Sequence, residues 1–201
     1  MKARHATKAR RPVVESLETR EVLSLSPLVQ ADILILQRDQ QLAHAAIQQE
    51  LAVVKSDITA IQQQSRAAMS TVQANIKADQ LTLLQDQHPN TFPGGDPTAV
   101  AADKAAIQTE RNNLNSIKAL EKSTVNTENG YVKSLNNLSK KYDGTVKSNI
   151  QSVKKTNPDT TTVTGISQGI LTNYTNQATT IGNNEQTTYS NFNTKLGNYT
   201  A

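Results

Sequence analysis

The 201-residue sequence has no cysteine, no tryptophan and only two phenylalanines. Without cysteine, disulfides and thiolate metal sites are excluded, and the redox compartment stays unread. With hydrophobic residues at 36% and so few aromatics, a thick globular core is excluded too; a narrow apolar seam between helices suits this composition. No run approaches the ~18–20 apolar residues of a membrane span. Neither glycine nor proline falls between Pro27 and Pro89, so that stretch contains no strong helix breaker.

What that stretch does contain is a period. Leu36, Ile47, Ile58 and Met69 recur every eleven residues, as do Ala43, Val54, Ser65 and Ile76, and Ile61, Val72 and Leu83. Eleven residues are close to three helical turns, so the rows lie side by side as one apolar stripe. His44, Lys55, Arg66 and Lys77 repeat at the same interval and flank it. A repeat of eleven favours straight or slightly right-handed winding, unlike the left-handed coil of a heptad. A stripe this long needs a partner surface, because propensity alone contributes little net stability.

The net charge of +4 is uneven: +3 over residues 1–25, −2 over 26–92, +4 over 93–157 and −1 over 158–201. Basic character therefore sits in the N-terminal tail and the middle segment. The tail, residues 1–25, lacks the 7–15-residue apolar core of a secretory signal, since Val13-Val14 is followed by Glu15. On composition it reads as a disordered basic arm. Its residues Arg10-Arg11, Glu15 and the run Leu17-Glu18-Thr19-Arg20-Glu21-Val22-Leu23-Ser24 resemble the LEPR-XLL motif, a short signature on many planctomycete proteins. Leu17, Glu18, Arg20 and Leu23 match; Thr19 replaces the proline and Val22 one leucine. The resemblance covers only the tail. It implies a sorting or anchoring address, and with it an extracellular or cell-envelope location.

Ser26-Pro27, Asp96-Pro97 and Asn157-Pro158 each pair a preferred N-cap residue with proline, and are read as three helix starts with proline at the first helical position. The helices are expected at about 27–86, 97–155 and 158–199. A breaker-rich loop, His88 to Gly95, separates the first two. In the second, Ile107, Leu114, Leu135 and Tyr142 share one heptad position and Ile117, Tyr131 and Leu138 the next. Glu121, Thr124 and Glu128 interrupt this seam, and Asn129-Gly130 is where the helix would kink or break. The third again repeats every eleven, with Ile170, Ile181 and Phe192, and with Val163, Tyr174 and Leu196. It is rich in the poor helix formers Thr and Asn, so it depends on packing. Two helices of roughly 60 residues would span about 90 Å each, and short connections make neighbours antiparallel. The expected fold is all-α: an elongated, antiparallel three-helix bundle with coiled-coil-like seams and a disordered N-terminal tail. A self-associating hairpin with a loose third segment is the alternative.

No catalytic constellation is legible. His5, His44 and His88 have no second ligand at a metal-binding spacing. Asp57 and Asp79 lie 22 residues apart on one helix, more than roughly 30 Å, too far for paired acid–base work. The serines and threonines lack GxSxG or SxxK, and Gly94-Gly95 lacks the lysine of a phosphate loop. Neither a metal nor a cofactor is expected. Lys133, Lys140, Lys147 and Lys154, spaced by seven, form a cationic stripe with Lys141 and Lys155 beside it. Such a stripe is a candidate site for an anionic polymer. It avoids the Leu135/Leu138/Tyr142 seam and has no interleaved aromatics, so a solvated outer helix face is the preferred reading.

The expected function is therefore a non-enzymatic, exported or envelope-associated helical protein. Its role is structural or interactive, with protein partners, its own copies included, laid along the seams. The alternative is a cytoplasmic nucleic-acid or anionic-polymer binder using the tail and the lysine stripe. A small hydrolase is a third class, with no site to support it.

Overall fold

In a computed structural model, which describes residues 25–200, the chain is all-α. Three helices follow one another: α1 (Pro27–Gln87), α2 (Val100–Thr156) and α3 (Thr160–Gly197). Among the described residues there is no strand, and no helix is long and apolar enough to cross a membrane. The N-terminal tail, with Leu17, Glu18, Arg20 and Leu23, lies outside the described residues.

Only one of the three proline signals marks a helix start as expected. At Ser26-Pro27 the Val29 N–H donates to Ser26 Oγ at 3.4 Å, and the helix begins at Pro27. At Asp96-Pro97 the start moves three residues on, to Val100. The Asp96 carboxylate folds a tight turn first, accepting the Thr98 N–H at 2.9 Å and its hydroxyl at 2.7 Å, the local side-chain bonding that lets Asp compete with helix. Both bonds favour the ionised form and hold the Asp96 carboxyl below its usual range. Asn157-Pro158 is a stop. Asn157 takes a left-handed φ of 46° and its N–H donates to Val153 C=O at 3.0 Å, the αL cap that ends a helix, with proline just after it. Asp159 takes over as N-cap of α3, accepting the Thr162 N–H at 2.9 Å. α2 runs unbroken through Asn129-Gly130, so the helix does not break there: the flanking seam residues Glu128 and Leu135 are fully buried, and packing overrides a single weak residue.

The chain forms two compact units. In the first, the α1 segment up to Leu42 packs with Tyr142–Thr172. Val29, Ile33 and Leu36 from α1, Tyr142, Val146 and Val153 from α2, and Val163 from α3 are its buried apolar residues. Gln40 Nε2 donates to Asp143 Oδ1 at 2.7 Å, and Ser167 Oγ donates to the buried Asp39 at 2.8 Å.

The second unit joins Ala43–Lys141 to Asn173–Ala201. Its core centres on Ile61, Ala68 and Val72 of α1, Ile117 of α2, and Phe192 and Leu196 of α3. Here α1 and α2 are antiparallel. His44 Nδ1 lies 3.2 Å from Ser139 Oγ, while at the opposite end the connecting loop is fastened by the Asp96 N–H donating to Asp86 Oδ1 at 2.7 Å. α3 runs alongside α1, with Gln64 Nε2 donating to Tyr189 Oη at 3.2 Å, and the Tyr131 and Thr188 hydroxyls meet at 3.1 Å across α2 and α3.

Two glycines make the α1–α2 loop. Gly94 has φ +97°, and a Cβ on Gly95 would overlap the backbone of Gln85. The loop therefore lies directly on the last turn of α1. Gly95→Ala should lower stability by roughly 1–3 kcal/mol, read as a lower thermal midpoint. Gly130 and Gly144 have open space where a Cβ would sit; alanine at either should raise stability by about 0.4–1 kcal/mol.

Candidate functional site

The seam rows carry acids as well as apolar groups. On α3, Val163, Tyr174, Glu185 and Leu196 succeed one another every eleven residues, and all are buried. On α2, Glu128 occupies the heptad position of Ile107, Leu135 and Tyr142, and is fully buried. On α1, Asp39 and Glu50 extend the row of Ile61 and Val72 by the same interval. A carboxylate in a seam needs a partner or a proton, since a bare buried charge is severely unfavourable.

Asp39, in the first unit, is satisfied. Arg38 donates to its Oδ1 through Nε at 2.9 Å and Nη2 at 2.8 Å, and Ser167 donates to its other oxygen.

The second unit gathers a different set: Glu50 and Asp57 from α1, Glu128 from α2 and Glu185 from α3. Neither oxygen of Glu128 has a hydrogen-bond partner, nor does Oε1 of Glu185. Burial pushes the Glu128 carboxyl up to about 7, and the Asp57 charge adds to it. Burial likewise pushes Glu185 up to about 8; a hydrogen bond with Asp57 follows, then the charges of Asp57, Glu128 and Glu50. Carboxyl groups this close share protons rather than ionise together. Both shifts favour the protonated forms of Glu128 and Glu185. The cluster borders a groove of about 440 Å³ lined by Glu50, Val53, Asp57, Glu185, Gln186 and Tyr189 together with Gly182 and Asn183.

The residues singled out from the sequence are arranged differently. Lys133, Lys140 and Lys147 are exposed and Lys154 is half-buried, the placement of an outer helix face. The first unit brings Lys147, Lys154 and Lys155 to the edge of one groove of about 850 Å³, against Ile33, Val146 and Ile150. Lys133 and Lys140 belong to the other unit. His44 is half-buried beside Ser139, and His88 lies exposed in the α1–α2 loop. Among the described residues no three Asp, Glu or His side chains meet closely enough to hold a metal ion.

Asp57, set aside because Asp79 is too distant, finds its carboxylate neighbours on the other two helices. Sequence reasoning missed this cluster by pairing acids along one helix. The available signal was Glu185, at the vacant place of an apolar row between Tyr174 and Leu196, and Glu128, visible only as an interruption.

Because the folded state raises both carboxyls above the ordinary value of 4.5, it holds protons that the unfolded chain has released. The stability from these groups is fully present below about pH 4.5 and is lost as pH rises through about 7 and 8. Thermal midpoints should therefore fall between pH 5 and pH 8.5. In the double variant Glu128→Gln, Glu185→Gln that fall should flatten; an unchanged slope would assign it to other groups.

The chain matches no protein-family model, no curated protein and no solved structure.

Proposed function

We propose that this protein is a non-enzymatic helical interaction module, exported or envelope-associated, that self-associates through the outer face of α1. The observation that carries the reading is where apolar surface is left over. In each unit the apolar seams pack between the chain's own helices. Of the seven large hydrophobic side chains exposed among the described residues, six lie on α1: Leu28, Leu34, Leu42, Val53, Leu81 and Leu84.

In the first unit these residues have a register. Leu28 and Leu42 stand two heptads apart, with the half-buried Ile35 midway and Leu34 beside it. Aliphatic side chains at that spacing form a strip that fits another helix of the same spacing, and a second copy of the chain presents one. Such a two-fold contact uses the same patch on both partners. Location is supported by the resemblance of Leu17, Glu18, Arg20 and Leu23 to an address motif.

Two measurements test the proposal. Light scattering over a concentration series should show a reversible dimer, and Leu28→Gln with Leu42→Gln should weaken it at least tenfold while helicity stays unchanged, because both side chains are already in water in the monomer. A monomer at all concentrations would sink the self-association. Fractionation of the native cells, with mass spectrometry of the N-terminus, should place the chain in an envelope or extracellular fraction. An intact Met1 or Lys2 in the soluble cytoplasm would refute export and direct attention to nucleic-acid binding by the basic tail.

A further inference from the structure

The groove between α1 and α3 in the second unit has three carboxylates and no cation. Glu50, Asp57 and Glu185 line it, and no lysine, arginine or histidine does. We propose that this groove binds a small aliphatic polyamine, with one ammonium group held at Glu50 and another between Asp57 and Glu185.

Three observations define the site. Glu185 is only 2% exposed, yet it lines the groove and its Oε1 lacks any hydrogen-bond partner. Glu128, whose charge acts on Glu185, is fully buried with both oxygens unbonded. At the other end Gly182 makes room: a Cβ there would occupy the place of the Glu50 carboxylate, which lies against the bare turn of α3. The geometry also selects the kind of cation. No three ligating side chains among the described residues converge on one point as a metal ion requires. Glu50 and Asp57 are seven residues apart, about 10 Å along the helix. Separated acceptors along a groove of about 440 Å³ suit a flexible chain with separated charges, and the volume lies within the usual range for small-ligand sites. The net charge of the chain is positive, so diffuse attraction of a polycation is not expected.

The titratable groups facing the site are Glu50 and Asp57 from α1, Glu128 from α2, and Glu185 with Tyr189 from α3. A bound ammonium must displace the proton shared there, so binding competes with protonation and weakens on acidification.

Calorimetric titration of the full chain with spermidine, at low ionic strength and pH 8.5, should give saturable binding with stoichiometry of one per chain. Affinity should fall roughly tenfold or more at pH 6, and by a similar factor in Glu50→Gln and Asp57→Asn, the size of one lost charge-assisted contact. Glu50 lies at the half-buried rim, so its variant retains the fold; circular dichroism confirms this for each variant. Gly182→Ala, which displaces the Glu50 carboxylate, should weaken binding in the same sense. Absence of saturable binding at low salt would overturn the proposal. So would an affinity untouched by Glu50→Gln and Asp57→Asn, or magnesium or calcium binding as tightly and competing with spermidine.

Discussion

Three narrow apolar seams depend on one another, and the rest of the structure follows from that dependence. None of the helices can hide its stripe alone. α1 has Leu36, Ile47, Val54 and Ile61 to bury, and helix propensity alone stabilises it little. α3 is built from Thr and Asn, whose hydroxyls bond back to the preceding turn at Thr180, Thr187, Thr188 and Thr194, a habit that slightly disfavours helix. It is helical because Val163, Tyr174, Ala178 and Phe192 are buried. Tertiary contact supplies what local preference withholds.

The same seams hold carboxyl groups in two settings. In the first, Asp39 receives a guanidinium and a hydroxyl, so its charge is matched locally. In the second, Glu128 and Glu185 retain protons instead. Replacing buried ionisable groups by apolar ones often costs nothing or stabilises; their presence in a core is therefore a weak contribution to stability. Their chemical significance lies in what they face. Glu185 and Asp57 border an opening to solvent, and a proton held there can be exchanged for another positive group.

Much of the fold was legible in the sequence, because period is a geometric property of the chain. The rows through Ala43, Val54 and Ser65 and through Ile61 and Val72 are buried as spacing requires, and the heptad of Ile107, Leu135 and Tyr142 holds across Gly130. Ends were less legible. A dipeptide such as Asn157-Pro158 serves a stop as readily as a start, since proline forbids continuation of the preceding helix and tolerates the opening of the next. Only the φ at Asn157 distinguishes the two. The carboxylate cluster was illegible for a different reason. Its members come from three helices, and their proximity depends on the relative register of those helices, a quantity no single periodicity contains. The exposed leucines of α1 were blurred likewise: on a helix this rich in leucine and alanine, which apolar face turns inward is decided by the partners.

The seam acids also bear on how the chain is made. α1 and α2 leave the ribosome first, while α3, which covers part of both, comes last. Throughout that interval their stripes stand partly in water. In the unfolded chain the Glu128 carboxyl ionises in the ordinary range, so near neutral pH its row bears negative charge among apolar residues. Charges within an apolar stretch oppose aggregation of the unassembled segment. Glu128, whose carboxyl burial pushes up to about 7, therefore bears more charge on the unpacked helix than in the finished core.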